Sequence, residues 1–472
     1  MKKPRKSGFE ITLPKFIKYD RWTGYENPSW RRGNRKDVTI LYNFLERRKS
    51  YFLRAYWERS GYAYRDLGDH VSEDVRWGKR FGNRMECNPM YFTCGSILRT
   101  LFAIERESGA AKEQIVNDYI FLCGGGQCGP CRYGMYPQEY MKALNDAGFK
   151  NFRMVIFSSG FSRETQPRDA VLRINLPFRI NMLYAVILAD LMHVAECALR
   201  PYAVDKKRAL RAIDRSERVL LNAFRSRWYF FTLPRALARV GKILRSVPRT
   251  SVKLPLIYMT GEFFANLAHN DGNYNMRRFI MDEGCEVSPG LFTNRIIYDF
   301  WRQVKLFGRA LRYERSLAKR WEALVNIIQA ASRRVFVWAI YRQLRKALSP
   351  QRFGGRADLY DFDYLARIGH EYYHPEIFGG EGNLEVAEAI HYAGRVDGFI
   401  SCKPFGCLTS SGVSDGVQAR IMAMYPGLNF LSIETSGDNE VSILSRVSMM
   451  LFKAKQRVAE NMMKKDRADP SC

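Results

Sequence analysis

With 472 residues, 46% hydrophobic and 14% aromatic, the chain has enough apolar material for several buried cores and the length of about three domains, which excludes general disorder. A net charge of +27 admits nucleic acid, an acidic partner or a phosphate-bearing cofactor. The basic residues are spread along the chain, however, and no RNA-recognition, zinc-finger or basic-zipper pattern accompanies them, so a nucleic-acid role is disfavoured.

Residues 1–36 are basic and rich in Trp, Tyr and Pro, and read as an irregular arm. No apolar run follows Met1-Lys-Lys-Pro-Arg-Lys6, so the sequence carries no sign of a secretory signal. A first α/β domain is expected over residues 37–165. Val38 to Tyr42 reads as a buried strand and Glu46 to Ser60 as a helix. Pro89 opens a helix running through Arg106, and Asp118 to Leu122 is a strand ending in a Gly-rich cysteine loop. A helix then runs from near Pro137 to Gly148, followed by a strand at Phe152 to Phe157.

Residues 166–251 read as a helical segment. Its longest apolar stretch, Ile180 to Leu199, contains Asp190, His193 and Glu196, which predicts an amphipathic helix rather than a membrane span. The basic run from Lys206 to Arg249 reads as solvated helical faces, with breaks at Pro234 and Pro248. A second α/β domain is expected over 252–460. Its strands are Leu254 to Met259, Val396 to Ser401 and Asn429 to Ile433. Its helices cover about 275–283, Asn383 to Ala393, Gln418 to Met424 and Glu440 to Val458, with a helical insertion at about 295–350. Residues 461–472 read as a disordered tail. Short apolar strands alternating with helices place the chain in the α/β class, with parallel sheets covered on both faces.

Seven of the ten cysteines fall in three short stretches, each just before an expected helix. Cys87 and Cys94 belong to the first, Cys123, Cys128 and Cys131 to the second, Cys402 and Cys407 to the third. Thiols at helix entries meet free backbone N–H groups and the positive helix end, which favours thiolate. Ligands of open α/β sheets bind beyond the carboxyl ends of the strands, where Cys123, Cys128, Cys131, Cys402 and Cys407 are expected. Two domains facing each other would close a site between them. Structural zinc needs four tetrahedral ligands, and Cys128-Gly-Pro-Cys131 gives one half of a ribbon pair without the other. The same Cys-x-x-Cys has the form of a redox dithiol but lacks thioredoxin-like surroundings. An iron–sulfur cluster takes thiolates from distant positions and fits best. Burial as a small hydrophobe suits Cys197 and Cys285, both expected on helices. Gly124-Gly-Gly126 is read as close to the cluster, Gly379-Gly-Glu-Gly382 superficially as a phosphate loop, and Glu262 as a helix cap or a substrate-orienting group. None of the six histidines falls in a His-Glu-x-x-His spacing, which argues against a histidine-metal hydrolase.

Glu86-Cys87-x-Pro89 with Gly95, Gly129-Pro-Cys131-Arg-Tyr-Gly-x-Tyr136, Leu199-Arg-Pro-Tyr202, Tyr258-Met-Thr-Gly261-Glu262-Phe and Lys403-Pro-Phe-Gly-Cys407-Leu, taken in order, resemble the 2-hydroxyacyl-CoA dehydratase-related proteins. The likeness is to the C-terminal half of the large activase-like members, which belong with the double-cubane cluster proteins. It spans about Val38 to Arg457. The resemblance implies two Rossmann-like parallel-sheet domains facing a cleft, with helical insertions. It also implies a [4Fe-4S] cluster held by Cys87, Cys131 and Cys407, one iron being open to substrate. In such proteins an ATP-hydrolysing activase delivers a low-potential electron. No Gly-x-x-x-x-Gly-Lys-Ser/Thr occurs here, so the activase or other electron donor is expected on a separate chain. Cys94, Cys123, Cys128 and Cys402 supply thiols for a double-cubane arrangement. Arg132 and Lys403 flank two ligands and are candidates to stabilise a reduced cluster. The expectation is a cytoplasmic iron–sulfur protein acting as a CoA-ester dehydratase component, a small-molecule reductase or an electron carrier, alone or paired with itself or a related subunit. The competing class is a zinc- or cluster-bearing scaffold that binds an acidic partner or nucleic acid through its basic helices.

Overall fold

Runs such as Thr-Ile-Leu-Tyr and Gly-Phe-Ile-Ser-Cys-Lys-Pro are apolar on both alternating faces, as a strand covered from above and below requires. The computed structural model describes residues 36–124, 131–157, 172, 174–377 and 379–468, so Cys128, Gly125, Gly126 and nearly all of the basic arm lie outside it. In the first α/β unit β1 (Thr39–Tyr42) leads to α1 (Arg47–Ser60) and β2 (Ala63–Asp66). Then come α2 (Ser72–Phe81), α3 (Asn88–Ser108), α4 (Lys112–Asp118), β3 (Tyr119–Gly124), α5 (Tyr136–Asp146) and β4 (Met154–Phe157). The helices α6 (Leu176–Leu199), α7 (Lys206–Arg225) and α8 (Tyr229–Arg245) follow. The second unit contains β5 (Leu256–Gly261), α9 (Phe263–Leu267), α10 (Met276–Asp282), β6 (Glu286–Val287), α11 (Phe292–Tyr313), α12 (Leu317–Leu348), α13 (Phe362–Gly369), α14 (Gly382–Tyr392), β7 (Gly398–Pro404), α15 (Asp415–Met424), β8 (Phe430–Thr435) and α16 (Glu440–Ala468).

The strands form two four-stranded sheets, ordered β2-β1-β3-β4 and β6-β5-β7-β8, with every pairing parallel. The expected α/β class with two Rossmann-like parallel sheets is what the chain forms. In each sheet the chain moves outward from its first strand to one side and then returns to build the other. That reversal leaves a crevice at the carboxyl ends of β1 and β3, and of β5 and β7.

Close helix packing depends on glycine at two points. A Cβ on Gly95 of α3 would stand 1.7 Å from the carbonyl oxygen of Asp74, and one on Gly78 of α2 would stand 2.1 Å from that of Tyr91. The two helices therefore touch backbone to backbone, which sets the position of the N-terminus of α3, where Cys87 lies.

Several expectations change. The stretch read as an amphipathic helix becomes α6, buried on all sides from Asn181 to Leu199. Its charges are matched rather than solvated. Asp190 accepts from Phe292 N (3.1 Å), Thr293 N (2.7 Å) and Thr293 Oγ1 (2.7 Å), and Glu196 meets Arg48 at 2.7 Å and Arg200 at 3.3 Å. Pro234 does not break its helix but sits inside α8. Proline there removes one backbone hydrogen bond near the helix start, while burial of Leu233, Leu237, Val240 and Leu244 holds the rest together. The last helix runs on to Ala468, into the stretch read as a tail. Cys285 is buried in the turn after α10 rather than on a helix. The basic run forms outward faces of α7 and α8, as read from sequence, with Lys207, Arg211, Arg218, Arg235 and Lys242 exposed.

By length and composition α6 and α12 could each cross a membrane; the apolar stretch of α6 lies inside the protein, whereas most of that of α12 does not. Two apolar seams run along α12. The inner one, including Ala323, Ala330, Val337, Leu344 and Leu348, is buried. The outer one, with Leu317, Trp321, Ile328, Val335 and Trp338 at a spacing near 3.5 residues, is exposed. Leu344→Ala, at a site 2% exposed, should therefore lower unfolding free energy by about 2–4 kcal/mol in urea titrations. Ile328→Ser, at a site 60% exposed, should stay within about 0.5 kcal/mol of the parent.

Candidate metal centre

The presumed ligands all stand where a loop enters a helical turn. Cys87 is the N-cap residue of α3, with Pro89 in the first turn. Cys131 caps a 3-10 turn, Arg132–Met135, that runs into α5. Cys407 follows β7 and Gly406, which takes the left-handed conformation at φ 74°.

These three segments converge. Asn88 N donates to Phe405 O at 3.1 Å, joining the start of α3 to the loop after β7. A Cβ on Gly406 would stand 3.5 Å from the Cα of Cys87. From the third segment, Tyr136 brings its hydroxyl to 3.0 Å from Cys87 Sγ, and Arg132 donates to the carbonyl of Met85. Thus Cys87, Cys131 and Cys407 sit on contiguous loops from both α/β units. Cys87 is buried, and Cys131 and Cys407 are only partly buried.

The additional cysteines are buried more deeply. Cys94 and Cys123 share the apolar core beside the first sheet with Cys87 but are 0% and 2% exposed against its 8%, and Cys402 lies in the core of the second. Burial pushes each of their thiols up to about 12. Cys128 lies outside the described residues.

Burial also pushes Cys87 and Cys407 up to about 11, with the carboxyl of Glu262 adding to the shift in both. The expected helix-end stabilisation of thiolate is therefore outweighed by desolvation. A bound cation would reverse that balance, because coordination draws off the thiol proton.

Glu262, at the end of β5, caps α9 by accepting from Phe264 N (2.9 Å) and Ala265 N (3.1 Å), so the capping reading holds. It also lies within electrostatic reach of both thiols, and burial lifts its carboxyl to about 7. Glu385 and Glu388 on α14 are buried acids that the sequence reading missed. Burial raises both, Glu388 to about 7, while Ser410 and Ser414 donate to Glu385 and Thr260 to Glu388. The signal was there in principle: acids three apart in an otherwise apolar helix. Lys403 is 1% exposed and paired with Asp415, so it is not ordinary surface charge. Gly382 opens α14 directly, and Glu381 beside it pairs with Arg295, which gives the glycine motif a structural part.

The described cysteines do not close on a single zinc ion. Zinc bonds of about 2.3 Å would hold tetrahedral sulfurs about 3.8 Å apart. Among the described residues, only Glu46, His193 and His269 form a three-donor set closing within 4.8 Å, and none includes these cysteines. A cluster binds each thiolate to a different iron and needs no such closure. Compared with protein-family models and with curated proteins, the chain matches none, so the resemblance rests on the motifs themselves.

Gly261 joins the two central strands beneath this site. Its φ is 136°, and a Cβ there would lie 1.7 Å from the carbonyl oxygen of Cys402. Gly261→Ala should cost at least about 2 kcal/mol in urea unfolding. Gly412→Ala, where a Cβ meets nothing within 4 Å, should change stability by less than about 0.5 kcal/mol.

Proposed function

We propose that this chain is an iron–sulfur protein of the 2-hydroxyacyl-CoA dehydratase-related type, with a [4Fe-4S] cluster held by Cys87, Cys131 and Cys407 between its two α/β units. The observation that carries the reading is the meeting of three thiol-bearing loops at the carboxyl ends of two parallel sheets. When bound, such a cluster supplies a low-potential electron and one open iron position for a substrate oxygen. The chain's own residues set the conditions. Tyr136 provides a hydroxyl against one ligand sulfur. The buried carboxyls of Glu262 and Glu385 place hydrogen-bonding groups beside the site and exclude bulk water. The electron comes from a separate ATP-hydrolysing activase or comparable donor, and the setting is the cytoplasm, where thiols stay reduced. The substrate class is a 2-hydroxyacyl-CoA ester or a small molecule reduced at the cluster. Cys94, Cys123 and Cys402 are buried more deeply than Cys87, so a single cubane is the preferred form.

The competing scaffold reading draws on the basic outer faces of α7 and α8, which also expose Trp228 and Phe231. Anaerobic purification separates the two. The cluster reading expects brown protein with a broad absorbance near ~400 nm and about four irons per chain. Iron should fall sharply in Cys87→Ser, Cys131→Ser and Cys407→Ser, and stay unchanged in Cys197→Ser. Colourless protein holding zinc that is lost in Cys87→Ser, Cys131→Ser and Cys407→Ser would establish the scaffold instead.

A further inference from the structure

Glu46, His193 and His269 are distant in sequence, yet one ligand atom from each lies within 4.8 Å of the others. Three separate elements deliver them. Glu46 is the N-cap of α1, just beyond β1; His269 lies in the loop after α9, just beyond β5; His193 projects from α6. The two loops are tied by Asn270 Nδ2 donating to Leu45 O at 3.4 Å. The imidazoles stand edge to face with ring centres 4.1 Å apart. His193 is 1% exposed; its Nε2 lies 3.6 Å from Cys197 Sγ, while its buried Nδ1 has no hydrogen-bond partner. A buried ring nitrogen left unmatched is costly; His70 also leaves its ring nitrogens unmatched, but His193 does so beside a second imidazole and a carboxylate.

We infer that Glu46, His193 and His269 form a second binding site, separate from the cysteines, for one divalent transition-metal ion of the zinc, cobalt or iron(II) class. Two imidazoles and a carboxylate are borderline donors suited to those ions, and three protein ligands leave coordination positions open. Bonds of about 2.0–2.1 Å set ligand atoms about 3.4 Å apart, so side-chain closure of at most about 1.4 Å completes the site. Cys197 Sγ lies 3.6 Å from Nε2 of His193, and Lys49 and Arg48 pair with the Glu46 carboxylate. Arg277 also stands within electrostatic reach of both imidazoles and Arg278 of His269, so four cations surround the site and nearby acids offset them in part. Arg48 also meets Glu196 at 2.7 Å and Glu217 at 2.6 Å, and Asp190 lies within electrostatic reach of Lys49. An ion-pair network alone accounts for Glu46 but leaves the paired imidazoles and the unmatched Nδ1 unexplained.

The test is metal binding by the full chain in a Cys87→Ser/Cys131→Ser/Cys407→Ser background, which removes the proposed cluster ligands. Equilibrium dialysis should show one Zn2+ per chain, with affinity falling at least about tenfold in His269→Gln. Co2+ should give visible ligand-field bands without the near-ultraviolet charge transfer of sulfur ligation. Because His269 is only half-buried in a loop, its variant should keep the parent far-ultraviolet circular dichroism. If His193→Gln unfolds, the His269 variant and the Co2+ spectrum decide. Zn2+ binding unchanged in His269→Gln, no binding in the folded parent, or sulfur charge transfer in the Co2+ spectrum overturns the site. In the otherwise wild-type chain, His269→Gln should leave cluster absorbance intact, so failure of either centre is read separately.

Discussion

The bond from Asn88 N to Phe405 O is the contact on which the cysteine site depends. It fastens the first turn of α3, from one α/β unit, to the loop after β7, from the other. An N-terminal helical N–H has no partner in its own helix, so a carbonyl from a second unit satisfies a donor that would otherwise be solvated. With that bond in place, Gly406 lies against Cys87 and Cys407 is carried to the same corner. The cysteine that caps α3 and the cysteine after β7 are thus held by backbone, not by long side chains.

Around this corner the molecule separates its charges. The exposed faces of α7 and α8 carry many of the excess Lys and Arg residues, whereas the interior near the cysteines holds Glu262, Glu385 and Glu388. The buried helix α6 brings further acids, Asp190 and Glu196, under the loops after β1 and β5. Each of those acids is matched by backbone N–H groups, hydroxyls or arginine. Such matching allows carboxyls in a low-dielectric interior.

How much of this could be read in the sequence follows from where each signal lies. Strands apolar on both faces, such as β1, β5 and β7, announced themselves, and so did the helices with Pro in the first turn. The edge strand β2, Ala-Tyr-Arg-Asp, is only partly covered and carries no buried run. The other missed strand, β6, has two residues. Pro234 misled because tertiary burial outweighed a local rule, and α6 misled because its charges find partners inside the protein. The cysteine loops were legible because glycine and proline punctuate them. Glu46, His193 and His269 were not: each sits alone in its own segment, and only the two strand reversals bring them together.

The placement of the carboxyls bears on the electron chemistry proposed for the cysteine site. Adding an electron to a thiolate-ligated cluster increases negative charge, and its cost rises with burial and with nearby negative groups. Here the ligand loops are largely desolvated, and Glu262 lies within electrostatic reach of Cys87 and Cys407. The nearby lysine, Lys403, is already spent on Asp415. Burial and Glu262 act towards a low reduction potential, while Arg132, next to Cys131, acts against them. A low potential would be the physical reason for the ATP-coupled donor in the proposed function.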